Sequence, residues 1–327
     1  MSRKADESGI QMMRKVFLCE YIHPEAYAYL KAHAEVIHDW DRLSEAEALI
    51  DRNLKITDEI METAKSLRLI GIHGTGVDDV DMAAAGRRGI QVFSVPHQNS
   101  RSVAEMNVAL MLALGRKIVR ADRILRGQAG RSAAESTGSP ESEMTDRMAE
   151  LQGMELAGKT LGLIGVGDIS RQTADICRKG FNMEVIGWSR SLTEEKARRM
   201  DMVYADSMAE VFQKADVIVV GVALTPETRH LIGREQFAQM NPKAMLINTA
   251  RGAVLDEQAL YESLAKGEIG GAACDVFAEE PISAGHPLLA LDNFVAAPHL
   301  GANTEEALRR VGMAVVQGVL NRLDGNL

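Results

Sequence analysis

The sequence predicts an α/β fold with parallel sheets, divided between two domains. The 327 residues are enough to build two hydrophobic cores. Short apolar runs alternate with helical patterns along most of the chain, as they do in βαβ units. One apolar run leads into a glycine-rich turn at 165–170, which opens a helical pattern. We therefore expect a ligand at the edge of a parallel sheet.

The first hundred residues predict a small α/β unit. Strand patterns lie at 15–19, 35–40 and 68–73, and helical patterns lie at 24–33 and 44–51. The third strand runs into a glycine-rich turn in which successive backbone N–H groups can bind an anion. The candidate contacts to a substrate carboxylate are Gly74, Thr75, Gly76 and Val77. The alternative is a tight turn without a ligand.

Residues 102–125 form a long helical pattern that is apolar on most faces. Ser102 and Glu105 match a capping box, which predicts that the helix begins at Ser102. A helix that is apolar nearly all round is buried, here between domains or subunits. Residues 127–150 are rich in Gly, Ser, Ala and Glu and predict a surface loop with a helical turn between 143 and 151.

From residue 159 onward, strands and helices alternate regularly. Short apolar runs predict buried parallel strands at 160–164, 184–188, 217–222, 245–248, 271–277 and 294–297. A closing helix is predicted at 304–323. Because open parallel sheets bind ligands at the carboxyl ends of their strands, the segments after these runs form the candidate site.

Composition argues against several classes of function. A net charge of −9 disfavours a nucleic-acid partner. No apolar run reaches the length of a membrane span, and the first residues lack the core of a signal peptide. Cys19, Cys177 and Cys274 are widely spaced, which predicts free, mostly buried thiols in a cytoplasmic protein. No Cys/His spacing predicts a metal site.

The turn at 165–170 nearly matches a dinucleotide-binding fingerprint. Gly165 permits a tight turn, and Gly167 lets the backbone approach a pyrophosphate. Asp168 and Ile169 begin the helix whose N-terminus favours phosphate charge. We therefore predict that Gly165, Gly167, Asp168 and Ile169 bind a dinucleotide cofactor.

Two residues depart from that fingerprint. Ser170 replaces the third glycine and is expected to loosen the packing of helix on strand slightly. Asp168 places a negative charge near the predicted phosphates. We interpret Asp168 as the N-cap of the helix, with Arg171 offsetting its charge.

The end of the next strand predicts which dinucleotide is used. An acidic residue there would bind the ribose 2′-hydroxyl, but this chain has Ser189 and Arg190. Arg190 can pair with a 2′-phosphate, so NADP(H) is predicted to be preferred, with NAD(H) also possible. The alternative is a solvated arginine in a basic cluster that continues at 196–199.

Arg251, Glu280 and His299 each follow a predicted strand in the second half of the chain. An arginine fork binds a planar carboxylate and can polarise an adjacent ketone. A histidine can supply the proton that a ketone oxygen needs as hydride arrives. Glu280 is predicted to stabilise the imidazolium, in preference to the adjacent Glu279. Together they predict catalysis on a carboxylate-bearing substrate.

These segments resemble the D-isomer-specific 2-hydroxyacid dehydrogenase family over nearly the whole chain. The matching motifs, in chain order, are Leu69-Ile70-Gly71, Gly76-Val77-Asp78, Ser102-Val103-Ala104-Glu105, the fingerprint at Gly165, Leu224-Thr225-Pro226-Glu227-Thr228, Thr249-Ala250-Arg251-Gly252, Asp275-Val276-Phe277 with Glu280-Pro281, and Pro298-His299-Leu300-Gly301. The replacement of the acidic cofactor selector by Ser189-Arg190 resembles the NADPH-using glyoxylate and hydroxypyruvate reductases.

The resemblance implies two Rossmann-like or flavodoxin-like domains with parallel sheets. A cofactor domain at 102–295 would be inserted into a substrate domain made of 1–101 and 296–327. The resemblance assigns substrate binding to Arg251, acid–base catalysis to His299 and its support to Glu280. It also places Thr249, Asp275 and Gly301 at the cofactor, with Asp275 near the nicotinamide carboxamide. The family is usually dimeric through the helix that begins near Ser102.

The leading hypothesis is an NADPH-dependent reductase of small 2-keto acids such as glyoxylate or hydroxypyruvate. One alternative is an NAD-linked dehydrogenase of another D-2-hydroxy acid. A formate dehydrogenase is disfavoured, because that branch carries glutamine where Glu280 stands. An alternative from another class is a dinucleotide-sensing regulatory protein of the same fold, which the complete set of Arg251, Glu280 and His299 disfavours.

Overall fold

The structure is a computed structural model that describes residues 13–127 and 148–326. Its strands are β1 Arg14–Leu18, β2 Ala34–Ile37, β3 Ala48–Asp51, β4 Leu69–Ile72, β5 Gln91–Ser94, β6 Thr160–Ile164, β7 Glu184–Trp188, β8 Val203–Tyr204, β9 Val217–Val220, β10 Met245–Asn248, β11 Gly271–Cys274 and β12 Phe294–Ala296. Its α-helices are α1 Pro24–His33, α2 Asp58–Thr63, α3 Met82–Arg87, α4 Ser100–Gly115, α5 Ile118–Leu125, α6 Asp168–Phe181, α7 Glu194–Arg199, α8 Met208–Lys214, α9 Arg234–Phe237, α10 Glu257–Ala265 and α11 Glu305–Leu323. Short 3₁₀ helices lie at Trp40–Glu45, Gly252–Val254 and Pro287–Ala290. Most of the predicted loop at 127–150 lies outside the described residues, as does the first part of the turn expected at 143–151, of which residues 148–150 are helical.

The chain separates into two compact units. The first comprises the residues up to Asn99 together with those from Ala302 onward, and the second is Ser100–Gly301. The predicted α/β class with two parallel sheets is confirmed. The roles of the two units as substrate and cofactor domains stay a prediction.

The first unit contains a five-stranded parallel sheet in the order β2-β1-β3-β4-β5. Helix α1 spans the residues predicted for it, and α11 begins at Glu305 after the Thr304 N-cap. The helix predicted at 44–51 is wrong, because β3 occupies its second half. All four residues of β3 are buried, and a short buried run has no polar face to mark its period.

The second unit contains a seven-stranded parallel sheet in the order β12-β11-β10-β9-β6-β7-β8. The strands predicted at 160–164, 184–188 and 245–248 are confirmed at those bounds. β9, β11 and β12 end before the predicted bounds, and β8 was not predicted. Apolar cores cover both faces of this sheet, so its strands read as continuous hydrophobic runs.

The helix predicted at 102–125 is two helices. α4 begins at Ser100, so Ser102 lies inside the helix and the predicted capping box is wrong. Lys117, at a left-handed φ of 52°, separates α4 from α5. Much of α4 is buried, as predicted, but no residue of α5 is.

Three further expectations came from the composition. None of the three cysteines forms a disulfide, and Cys177 and Cys274 are buried, as predicted. Within 13–127 and 148–326, no helix combines the length and apolarity that crossing a membrane requires. The same residues contain no group of three or more His, Cys, Asp or Glu side chains suited to a metal ion.

Candidate active site

The turn between β6 and α6 has the shape that the fingerprint predicts. Gly165 adopts a φ of +93°, and a Cβ atom there would lie 2.5 Å from the carbonyl oxygen of Gly221. Any other residue at this position would meet both a strained backbone and a clash. Gly165 therefore lets β6 turn sharply beside the strand-end of β9.

The N-terminus of α6 is open to a ligand. Gly167 is the N-cap of this helix and has no side chain to cap it, so the predicted N-cap role of Asp168 is wrong. A Cβ atom at Gly167 would meet no atom within 4 Å, so the fold itself leaves this space clear. Asp168 is the first helical residue and forms an ion pair with Arg171, as predicted. The helix end can accept a pyrophosphate.

Ser170 fits the turn instead of loosening it. The residue is 1% exposed, and its hydroxyl donates a 2.7 Å hydrogen bond to the carbonyl oxygen of Gly165. Gly221 makes room for the hydroxyl, because a Cβ atom at Gly221 would lie 2.3 Å from Ser170 Oγ. The expected loosening of helix on strand is therefore wrong.

The residues predicted to select the cofactor follow β7. Ser189 is partly buried and Arg190 is exposed. The pKa of the Glu227 carboxyl is lowered, chiefly by hydrogen bonds from Thr225 and from the backbone. The positive charge of Arg190 makes a smaller contribution to the same shift. Arg190 is thus placed at the carboxyl end of β7, where a 2′-phosphate would lie in a dinucleotide site.

Arg251 stands three residues beyond β10, in a loop that Asn248 shapes. The Asn248 amide accepts a hydrogen bond from Ala250 N and donates one to the carbonyl oxygen of Arg251, both at 3.0 Å. The Arg251 guanidinium is partly buried and donates to the carbonyl oxygen of Ala250 at 2.8 Å. These hydrogen bonds hold the positively charged guanidinium of Arg251 near the carboxyl end of β10.

Gly252 brings this loop against the segment that carries Glu280. A Cβ atom at Gly252 would lie 1.8 Å from the carbonyl carbon of Phe277 and 2.3 Å from Ala278 N. Only glycine permits such a close backbone approach. The contact fixes the distance between the Arg251 loop and the loop after β11.

The structure pairs Glu280 with His299, as predicted. Glu280 Oε2 lies 2.7 Å from His299 Nδ1, and Glu280 Oε1 accepts a 2.9 Å bond from Phe277 N. An ionised carboxylate only accepts, so Nδ1 carries the proton and Nε2 remains for exchange with a ligand. Glu279, the adjacent candidate, makes no such contact with His299 among the described hydrogen bonds.

The charge on Glu280 is stabilised where it stands. Partial burial raises the pKa of Glu280, but hydrogen bonds from His299 and Phe277 N and the charges of His299 and Arg251 more than offset it. The net pKa is lowered, so the carboxylate is ionised at neutral pH. Arg251 is near enough to Glu280 for its charge to help lower that pKa.

Asp275 holds the loop that carries His299. His299 has a left-handed φ of 55°, which is uncommon for a side-chain-bearing residue. Its N–H donates to the carbonyl oxygen of Asp275 at 2.7 Å, and the Asp275 carboxylate accepts 2.7 Å bonds from Leu300 N and Gly301 N. Asp275 is 1% exposed, and its pKa is raised, chiefly by burial. These bonds show a loop-holding role; contact with nicotinamide stays a prediction.

One site feature was not predicted. Asn107 on α4 is fully buried, donates to Thr173 Oγ1 at 3.1 Å and accepts from Thr249 Oγ1 at 2.8 Å. Thr249 precedes Ala250 and Arg251 in the loop after β10. The sequence signal was a polar residue between apolar Met106 and Val108 on a mostly apolar helix.

The glycine-rich turn after β4 lies in the first unit. The Gly74 N–H donates to the carbonyl oxygen of Ile72 at 2.8 Å, so this amide is already used within the turn. Substrate contact by Gly74, Thr75, Gly76 and Val77 stays a prediction. His73, just before them, is 6% exposed, and burial lowers its pKa to about 4.

Comparisons with known proteins indicate one family. The profile described as "D-isomer specific 2-hydroxyacid dehydrogenase, NAD binding domain" matches residues 108–301, more than half of the chain. The chain is 38% identical over 325 residues to the D-3-phosphoglycerate dehydrogenase of Methanocaldococcus jannaschii, covering 96% of this chain and 58% of that protein. It is 34% identical to the glyoxylate reductase of Thermofilum pendens, covering 100% of this chain and 91% of that one. The chain thus spans little more than half the length of its phosphoglycerate dehydrogenase relatives.

Solved structures share the fold. The D-lactate dehydrogenase of Aquifex aeolicus, complexed with NAD and lactic acid, superimposes with a TM-score of 0.78 at 27% identity, covering 95% of this chain and 96% of that one. An acyclic imino acid reductase in complex with NADPH and D-Arg gives a TM-score of 0.78 at 26% identity, covering 95% and 97%. The solved structures similar to this chain thus include one with bound NAD and one with bound NADPH.

Proposed function

Because the chain belongs to the D-isomer-specific 2-hydroxyacid dehydrogenase family, we propose that it transfers hydride between a nicotinamide dinucleotide and a small 2-keto or 2-hydroxy acid. Reduction of an acid of the glyoxylate or hydroxypyruvate type is the favoured reaction. The observation that carries the proposal is the 2.7 Å contact of His299 Nδ1 with Glu280 Oε2, in a unit that also presents Arg251 and the open N-terminus of α6.

Each catalytic residue has a separate task in this proposal. The dinucleotide, when bound, supplies the hydride. Arg251 binds the substrate carboxylate and stabilises negative charge that develops on the ketone oxygen. His299 donates the proton from Nε2, and ionised Glu280 stabilises the imidazolium before that transfer. The Asp275 bonds keep His299 at its position while its charge changes.

We propose NADPH as the preferred dinucleotide. Support comes from Arg190 at the carboxyl end of β7 and from the absence of a carboxylate in Trp188-Ser189-Arg190. A carboxylate there would repel the 2′-phosphate, whereas a guanidinium can bind it with charge-assisted hydrogen bonds. NADH use remains compatible with the same turn, because Gly165 and Gly167 form the pyrophosphate site for either dinucleotide.

A second candidate is an NAD-linked dehydrogenase of a larger D-2-hydroxy acid. The observation that favours it is the 38% identity to a D-3-phosphoglycerate dehydrogenase, against 34% to a glyoxylate reductase. Oxidation would use the same three side chains in reverse, with neutral His299 accepting the hydroxyl proton.

We also propose that the protein forms a homodimer through α4 and α5. Helix α5 has no buried residue, and Ile118 and Leu125 on it are 54% and 87% exposed. A second copy of the chain would cover these apolar side chains. Leu125→Glu should produce a monomer in light scattering after gel filtration, whereas Arg126→Glu, at the next position, should not. A parent that is monomeric contradicts this assignment.

The test of the proposed reaction is a turnover panel. Glyoxylate, hydroxypyruvate, pyruvate and 3-phosphohydroxypyruvate are each offered with NADPH and with NADH, and the corresponding D-2-hydroxy acids with the oxidised dinucleotides. His299→Ala is the control, expected to lower kcat by roughly 10²–10⁴ while dinucleotide affinity is retained. Dinucleotide binding without turnover of any acid would contradict the enzyme and favour a dinucleotide sensor.

A further inference from the structure

Three hydrogen bonds, one buried and two partly buried, form an unbroken chain from the dinucleotide-binding helix to the loop that carries Arg251. Thr173 Oγ1 donates to the carbonyl oxygen of Ile169 at 2.9 Å, in the first turns of α6. Asn107 Nδ2 donates to Thr173 Oγ1 at 3.1 Å. Thr249 Oγ1 donates to Asn107 Oδ1 at 2.8 Å. Asn107 and Thr173 are fully buried, so water does not compete for the bond between them.

The direction of the three bonds follows from chemistry. The Ile169 carbonyl can only accept, so the single proton of the Thr173 hydroxyl is committed to it. Thr173 must then accept from Asn107, which turns the NH₂ group of the amide toward α6 and its oxygen toward Thr249. Thr249 must therefore donate to Asn107, and its hydroxyl keeps only lone pairs for a ligand.

We infer that Asn107 is a positioning residue, which orients the Thr249 hydroxyl as a hydrogen-bond acceptor and ties the Arg251 loop to the dinucleotide-binding helix. The inference rests on the proposed function for its catalytic consequence. Asn107 lies on α4, which packs against both α6 and β10, so it acts through Thr249 and touches neither ligand. An acceptor at Thr249 suits an amide NH₂ donor, such as that of a nicotinamide carboxamide.

The physical expectation is a loss of alignment. Without the amide, Thr249 is free to change rotamer, and the segment that leads to Arg251 loses its tie to α4. Misplacement of a reacting group by about 1 Å can cost on the order of 100-fold in rate. If Asn107 merely filled the α4–α6 interface, its replacement would lower the stability of the protein and leave kcat/KM unchanged.

The chain offers a matched control in the same interface. Cys177, one turn after Thr173 on α6, contacts Met111, one turn after Asn107 on α4, with the sulfur atoms 3.9 Å apart. Both residues are fully buried, and no described contact joins them to Thr249. Cys177→Ala should therefore lower the melting temperature with kcat/KM within about twofold of the parent.

The experiment compares Asn107→Ala, Thr249→Val, their double variant and Thr249→Ser with Cys177→Ala. Asn107→Ala and Thr249→Val should each lower kcat/KM for the best 2-keto acid by about 10- to 100-fold. The double variant should lose no more than the worse single change, because both remove one interaction. Thr249→Ser keeps the hydroxyl and should stay near the parent.

Several results would overturn the inference. One is a kcat/KM for Asn107→Ala within twofold of Cys177→Ala; another is a double variant whose loss equals the product of the two single losses. If Asn107→Ala does not fold, the comparison of Thr249→Val with Thr249→Ser tests the inference instead. Both variants are expected to fold because Thr249 is only partly buried. Equal activity of the two variants would overturn the inference. A parent that reduces no 2-keto acid contradicts the proposed function instead. In that case the hydrogen-bonded chain is tested by the melting temperatures of the two single variants and the double variant, measured without cofactor. Melting-temperature shifts that add in the double variant would overturn the inference.

Discussion

The hydroxyl of Ser170 donates a 2.7 Å hydrogen bond to the carbonyl oxygen of Gly165, joining the first turn of α6 to the turn that precedes it. A glycine in place of Ser170 would leave that carbonyl without this donor. The space for the hydroxyl comes from Gly221, at the end of the neighbouring β9. The serine and the glycine together replace the close packing that a third fingerprint glycine would give.

Ser170→Ala should destabilise the protein, because it leaves the buried carbonyl of Gly165 without this donor. The cost of such a loss is about 1–3 kcal/mol, measurable in urea unfolding. Dinucleotide affinity should fall as well, since the turn is less fixed. Ser170→Gly should be worse by up to about 1 kcal/mol from backbone entropy in a helix. A glycine variant more stable than the parent would show that the serine strains the turn.

Arg190→Ala should raise the KM for NADPH far more than the KM for NADH. Charge-assisted hydrogen bonds contribute about 1.5–3 kcal/mol, which corresponds to roughly 10- to 150-fold in affinity. Arg198→Ala provides the control, because Arg198 is an exposed arginine of the neighbouring basic cluster, paired with Glu194. Equal changes for both dinucleotides in Arg190→Ala would contradict a 2′-phosphate contact.

Glu280→Gln should move the pH profile of reduction. The pKa of Glu280 is lowered, so its negative charge is present across the neutral range, 2.7 Å from His299 Nδ1. Reduction needs the imidazolium of His299, so the alkaline limb of kcat/KM should shift to lower pH, by about one unit. Glu279→Gln changes the adjacent carboxylate and should leave the limb in place. An unmoved limb in Glu280→Gln would remove Glu280 from the proton transfer.

Asp51→Asn should make the first unit less sensitive to pH. Burial and then the charge of Glu20 raise the pKa of Asp51 from 3.8 to about 7. The folded state therefore holds a proton that the unfolded chain releases above pH 3.8, and stability is lost as pH rises from about 4 to 7. The free energy of unfolding of Asp51→Asn should therefore exceed that of the parent by an amount that grows across this pH window, to at most roughly 4 kcal/mol. A difference independent of pH would show that Asp51 ionises normally.

The strands that carry the chemistry could be predicted because they are buried on both faces. β6, β7 and β10 are mostly apolar runs with buried central residues, and each is followed by the polar or glycine residues that form the candidate site. The same property made the helix predicted at 44–51 wrong, since β3 is also buried throughout. Periodicity cannot distinguish a short buried strand from a buried helical turn.

The supporting residues could not be predicted, because their partners are distant in the chain. Asn107 bonds to Thr173, 66 residues away, and to Thr249, 142 residues away. Asp275 holds the amides of Leu300 and Gly301 only because β11 and β12 are neighbours. Such contacts depend on strand order, which the local pattern does not specify.

Arg251→Lys tests charge and shape separately. Lysine keeps the positive charge but loses the planar fork that binds a carboxylate through two hydrogen bonds. We expect kcat/KM for 2-keto acids to fall at least tenfold, with NADPH binding, followed by fluorescence, nearly unchanged. The guanidinium also donates to the Ala250 carbonyl, a bond that a lysine ammonium can replace, so the melting temperature should change little. A variant with near-normal catalysis and a lowered melting temperature would show that Arg251 supports the loop and does not bind the substrate.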